Sequence, residues 1–291
     1  MGYAVVKAGL LKASDSKVLS VVMVYLVTPC VIINAFQIND TPEIRKGLLY
    51  SMAIAAAIHV VLLVLSALLS RPLKLDAVEQ VNVIYSNAAA LVIPLVKALM
   101  GDAYVIYSCA FIIVQLVLLW THASSLLQGS SALDWKKVLT NINMIAIAAG
   151  ALLYWFRVVL PAPLQNTMST VGNMMGPMGM LLAGMAIAEK PLREGFCTRR
   201  NYLPTVLRLV VCPLVVLVLL WVCHASSWVA DGKNILMTVY LAAITPACAT
   251  VTSMAQLYDR DAAHSSALYV LTTLLSIVSM PIMIGLFDLL L

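Results

Sequence analysis

Apolar residues run through this chain in long stretches, and polar residues collect in short intervals between them. Nine stretches are long enough to cross about 30 Å of hydrocarbon as helices of about 20 residues. They are 17–36, 47–70, 80–100, 103–127, 140–160, 167–188, 202–224, 233–257 and 264–290. Ahead of them, residues 2–11 are apolar but too short to span, and Lys7 interrupts them. This segment lacks the charged start and long apolar core of a signal peptide. It reads as the last turns of a truncated first helix. Counting it gives ten helices, five plus five.

Two of the stretches carry an interruption. Ser86-Asn87-Ala88-Ala89-Ala90-Leu91-Val92-Ile93-Pro94 lies in the fourth helix, and Ala243-Ile244-Thr245-Pro246-Ala247 in the ninth. A proline in a helix removes an N–H donor and clashes with the carbonyl four residues back. In lipid a freed backbone group costs several kcal/mol unless protein or cavity water satisfies it. Paired broken helices at matching places in two halves point to a transporter's binding site. Thr28-Pro29 in the second helix and Gly176-Pro177 in the seventh are weaker counterparts, and either permits a simple kink.

Charge adds orientation. Intervals after odd-numbered helices hold Lys7, Lys12, Lys17, Arg71, Lys74, Lys136, Lys137, Lys190, Arg193, Arg199, Arg200 and Arg260. Intervals after even-numbered helices hold Arg45, Lys46, Lys97, Arg157 and Lys233. Twelve against five places the odd intervals in the cytoplasm. An odd number of helices per half then inverts the second half relative to the first. The expected architecture is an all-α integral membrane protein with ten helices in an inverted 5+5 repeat. Residues 1–128 form the first repeat, 129–139 a cytoplasmic linker and 140–291 the second. Composition agrees: 11% of the residues are charged, against about 25% in soluble domains. The net charge of +5 is therefore a topology signal and not a nucleic-acid footprint.

The crossing of two broken helices dictates the candidate chemistry. Each second half-helix would start there with unpaired N–H groups and the positive end of its dipole, which suits an anion. Asn87 offers donors and an acceptor, and Ser86, Thr245, Thr250 and Thr252 offer hydroxyls. The plainer reading is that these groups only satisfy broken backbone. No Asp or Glu stands near the middle of a span. His59 does, and a lone His there is more often a hydrogen-bonded core residue. His122 and Arg208 read as nearer the cytoplasmic ends, with Arg208 free to snorkel. The six cysteines form no C-x-x-C pair and read as small buried apolar residues. In Gly172–Met180, close packing through Gly172 and Gly176 outweighs metal binding by methionines. No metal or cofactor is expected, and signatures of membrane enzymes such as H-E-x-x-H and G-x-S-x-G are absent.

These residues resemble the auxin efflux carrier family, which includes plant auxin exporters and bacterial dicarboxylate permeases. Ser86-Asn87 followed by Ile93-Pro94-Leu95 is similar to the family's Pro-Asn…Ile-Pro-Leu stretch, with Ser86 in place of the first proline. Thr245-Pro246-Ala247 with Tyr258 resembles its ninth-helix crossover, Tyr25–Pro29 its second-helix motif, and Gly2-Tyr3 the end of its first helix. The resemblance implies a scaffold domain and a transport domain with elevator-like alternating access. It carries substrate contact to Asn87 and the crossover role to Pro94 and Pro246. The long cytoplasmic loop of the plant exporters is missing, so auxin gains no support as substrate.

The expected function is a secondary carrier, and not an enzyme, in the cytoplasmic (inner) membrane. It would move a small organic anion, a dicarboxylate or related carboxylate, past Asn87, Ser86, Pro94, Thr245, Pro246, Thr250 and Thr28. The expected partners are that anion, the lipid bilayer and a second copy of the chain in a homodimer, with no nucleic acid. The nearest rival is a sodium-coupled symporter of the bile-acid-transporter type, which would show acidic ligands at the crossover. A channel or a receptor without transport is the rival of a different class.

Overall fold

The computed structural model describes residues 1–37, 41–129, 140, 142–188, 198–229 and 231–291. The helices are α1 (Gly2–Lys7), α2 (Ser16–Asn34), α3 (Pro42–Ser70), α4 (Ala77–Ile84), α5 (Ala88–Met100), α6 (Ile106–Gln128) and α7 (Ile142–Trp155). They continue with α8 (Ala162–Gly172), α9 (Met175–Ala188), α10 (Arg199–Val222), α11 (Gly232–Ile244), α12 (Ala249–Leu257) and α13 (Ala262–Leu290). Among the described residues the fold is all-α, with no strand beyond one isolated bridge between Ser86 and Ala247. Among the described residues, five helices, α2, α3, α6, α10 and α13, are long and apolar enough to cross a membrane singly.

Helix ends follow local chemistry. Thr41 caps α3 by accepting from Ile44 N, with Pro42 in the first turn where its missing N–H costs nothing. Asp76 and Glu79 form a reciprocal capping box at the start of α4. Gly129 ends α6 at φ +71°, the left-handed conformation that favours glycine. In α2, a π-helical turn over Met23–Val27 precedes Pro29. Thr28 Oγ1 donates to the Met23 carbonyl, so the proline is absorbed without a break.

Each of the nine expected stretches is helical, with three differences in detail. The stretches 80–100 and 233–257 are each two helices, α4 with α5 and α11 with α12. The first interruption is confined to residues 85–87, and α5 runs on through Pro94. Pro94 therefore does not make the break. The stretch 167–188 is divided at residues 173–174, between α8 and α9. The expected linker lies, from residue 130 on, outside the described residues.

The chain forms two compact units. Unit 1 comprises residues 1–38, 116–198 and 249–267; unit 2 comprises 39–115, 199–248 and 268–291. Each unit takes segments from both expected repeats, because a compact unit follows packing and a repeat follows sequence order. In unit 1, α1 packs on α9, α7 and α8 pack on α2, and α12 packs on α2 and α9. In unit 2, α11 contacts α3, α5 and α10. Tyr240 and Phe287, both fully buried, stack there at 5.2 Å between ring centroids. Exposed apolar side chains such as Val60, Val64 and Leu68 on α3 and Ile277, Val278 and Ile282 on α13 form faces suited to lipid.

Close backbone approach in unit 1 depends on small residues. A Cβ at Gly184 would lie 2.8 Å from Tyr3 N and 3.0 Å from Gly2 Cα. At Gly179 it would lie 2.8 Å from the Ala249 Cβ. Gly172 does approach Val31, as the sequence suggests, but a Cβ at Gly176 meets nothing within 4 Å. Gly176 instead borders an apolar cavity of about 530 Å³ with Pro177, Met178 and Leu181. Its expected packing role is corrected: Gly179 and Gly184 carry the contacts. Cys212 and Cys248 are buried and Cys223 is exposed.

Gly184→Leu should push α1 off α9 and destabilise the protein by about 1–3 kcal/mol, the usual cost of overpacking. Gly176→Ala should not lower the midpoint. Thermal unfolding of the detergent-solubilised protein checks both.

Candidate functional site

The two interruptions meet in unit 2, and their backbone can be followed atom by atom. Tyr85 N donates to the Val81 carbonyl at 3.0 Å, and Cys248 N donates to the Tyr85 carbonyl at 3.1 Å. Asn87 N donates to the Pro246 carbonyl at 2.8 Å, and Leu91 N donates to the Asn87 carbonyl at 3.1 Å. Between these residues, Ser86 finds its partner in a side chain. Its N–H and Oγ donate to Gln115 Oε1 at 3.0 and 2.7 Å, and its carbonyl accepts from Gln115 Nε2 at 2.8 Å. Ala247 N donates to Thr272 Oγ1 at 3.1 Å. Pro246 has no N–H to satisfy, which makes a proline cheap at this point. Every backbone N–H and C=O of residues 85–87 thus has a partner, as buried backbone requires.

The last carbonyls of α4 and α11 also lack helical partners. Arg208 takes two at the end of α4, one at the end of α11 and that of Thr245 just after it. Its Nε donates to the Thr245 carbonyl at 3.0 Å, and one terminal nitrogen donates to Val83 and Ile84, each at 3.2 Å. The other donates to Ala243 at 2.5 Å and Thr245 at 2.7 Å. A guanidinium has five N–H donors, and these contacts engage all of them. Arg208 is 1% exposed. It sits nine residues into α10, roughly 14 Å from the helix start at 1.5 Å per residue. The snorkelling expected from sequence does not occur: α10 begins at Arg199 rather than 202, and the freed carbonyls solvate the charge in place.

The sequence candidates separate under this geometry. Ser86, Asn87, Thr245 and Pro246 come together in unit 2. Of these, the Ser86 and Thr245 hydroxyls are committed to structure, Thr245 Oγ1 donating to the Ala242 carbonyl at 3.0 Å. Asn87 immediately precedes α5, and its carbonyl accepts the first helical bond. Asn87 is 4% exposed. Thr28 and Thr250 belong to unit 1, Thr28 bonded within its own helix and Thr250 buried near the start of α12. Thr252 lies in the same helix, 3.2 Å from Ser265 Oγ. Tyr258, after α12, pairs with Ser124 at 2.7 Å. Pro94 lies within α5, away from residues 85–87.

His59 is fully buried, with Nδ1 donating to the Ala55 carbonyl at 2.8 Å and its ring 4.7 Å from that of Phe111. That is the core role its sequence position suggested. Glu79, buried at the start of α4, accepts from Arg200 Nε at 2.7 Å, and Arg200 also binds Asp76 at 2.7 Å. A separate cavity in unit 2, about 530 Å³, is lined by Glu43, Lys46, Tyr107, Trp228 and Asp231.

Sequence reasoning missed Gln115 and Arg208 as parts of the breaks. Each had a visible signal: the one Gln in the apolar run 103–127, and the one charge inside 202–224. A strongly polar group inside a span usually has a job, and here both serve broken backbone.

The sequence profile of a family described as "Membrane transport protein" matches residues 1–133 and again residues 132–284. A search among curated proteins returned no match.

Gln115→Leu leaves Ser86 N–H, Oγ and C=O buried without partners, at about 1–3 kcal/mol for each unsatisfied group. A stability loss of about 3 kcal/mol or more is expected from these three groups together. Ser86→Ala, which removes only the Oγ bond, should cost about 1 kcal/mol. Denaturant or thermal unfolding in detergent distinguishes the two.

Proposed function

This chain belongs to the auxin efflux carrier family of membrane transport proteins, and we propose that it is a secondary carrier of a small organic anion. The observation that carries the reading is the charge pattern at the paired breaks. Arg208 covers the C-terminal ends of α4 and α11, where the helix dipoles are negative. The N-terminal end of α5, which begins beside Asn87, carries the opposite partial charge. Ion pairs of Lys17 with Asp259 and of Arg200 with Asp76 and Glu79 lie outside the break residues. The fixed charges at the breaks therefore favour a carboxylate and disfavour a cation.

In this reading Asn87 meets the substrate. Its amide can donate to a carboxylate oxygen, and Ser86 and Thr245 hold the chain that presents it. Pro246 keeps the second break open by supplying a carbonyl without an N–H. Thr28, Thr250 and Pro94 keep a supporting part at most. The crossed half-helices would form the moving site of an elevator, with residues 1–128 and 140–291 as inverted repeats around it. A dicarboxylate is the favoured substrate class, the cytoplasmic membrane the favoured location, and a homodimer the favoured assembly.

The test is uptake and efflux of labelled malonate, malate, oxalate and indole-3-acetate in proteoliposomes, with and without sodium or pH gradients. Protein-dependent flux of at least one dicarboxylate is expected. Asn87→Ala should lower its kcat/KM by about tenfold or more, the scale of a lost hydrogen bond to a charged group. Flux of no anion, or an Asn87→Ala protein with unchanged kcat/KM for every anion carried, sinks the reading.

A further inference from the structure

Arg208 does more at the breaks than close a hydrogen-bond account. The C-terminus of a helix carries roughly half a negative charge. Two such ends, α4 and α11, converge on one guanidinium. The sum of roughly −1 is balanced by the +1 of Arg208. A neutral side chain with the same donors would satisfy the same carbonyls and leave that negative potential in place. Such a potential attracts a cation and repels an anion. The arginine is also buried without a carboxylate partner among the described ion pairs. A charge held this way is expensive, and an uncharged staple would be cheaper if stapling were its only task.

We propose that Arg208 determines the charge sign of the substrate accepted at the paired breaks. It acts as a positioning and electrostatic residue and touches no substrate itself. Its charge cancels the two helix C-termini, so that the partial positive charge at the start of α5 dominates beside Asn87. The proposal rests on the anion reading of the breaks and adds a cause for it.

Position 212 gives a way to separate charge from stapling. Cys212 follows Arg208 by one helical turn, and its Sγ points at the Val83 carbonyl at 3.9 Å. The same carbonyl accepts from Arg208. Cys212→Asp would place a carboxylate beside the guanidinium, cancelling its charge while leaving the arginine present. Cys212→Asn is the uncharged control of the same size.

The experiment measures KM and kcat for malonate, malate and oxalate in proteoliposomes, with thermal unfolding of each variant alongside. Arg208→Lys and Arg208→Met both lose donors to the carbonyls, so both should unfold earlier. They differ in charge. Arg208→Lys should keep KM within about threefold, while Arg208→Met and Cys212→Asp should raise it about tenfold or more, as loss of a nearby charge does in a medium of low dielectric constant. Cys212→Asn should leave KM unchanged. If the Arg208 variants do not fold, the Cys212 pair decides. Equal KM in Cys212→Asp and Cys212→Asn, or in folded Arg208→Met and wild type, overturns the proposal and leaves the anion reading standing. A wild type that carries none of the three anions overturns both.

Discussion

Two stretches of non-helical backbone, buried side by side, are the constraint on which this molecule's interior is built. Residues 85–87 and 245–248 give up the helical ladder in a chain made for a medium without water. Each lost bond has to be replaced from within. The replacement is mutual: Asn87 N to Pro246, and Cys248 N to Tyr85. What the breaks cannot supply to each other comes from three side chains on neighbouring helices. Gln115 serves Ser86 as a strand would, Thr272 accepts from Ala247 N, and Arg208 binds carbonyls at the ends of α4 and α11.

That arrangement sorts the polar residues by task. Ser86 and Thr245 look like binding residues because they are hydroxyls at a break, yet both are bonded inward. Thr28 is bonded to its own helix, where it eases the chain past Pro29. Asn87 differs because its backbone, not its side chain, meets the needs of the break. The prolines sort likewise. Pro246 sits in its break and contributes a carbonyl, while Pro94 lies in a continuous helix.

Among the described residues, the side chains that serve the breaks are neutral apart from one guanidinium, and it meets the C-terminal ends of two helix dipoles. Membership in a family of membrane transport proteins fits a chain whose strongest internal feature is a pair of opened helices.

The residue pattern alone carried the all-α membrane character, the nine apolar stretches and which two of them open. Those follow from local properties: apolar length, proline chemistry and the charges between spans. It also pointed to Asn87 and Pro246, which the structure brings together through the Asn87 N–H and the Pro246 carbonyl. It could not decide that the first break lies at residues 85–87 and not at Pro94. Nor could it decide that Gly179 and Gly184, and not Gly176, mark close packing, or that Arg208 stays inside. Those outcomes depend on which carbonyls, 35 to 37 and 124 to 125 residues away in sequence, arrive within reach of one guanidinium. A charge inside an apolar helix is destined to snorkel or to bind according to its neighbours in space. Only the tertiary structure supplies those neighbours.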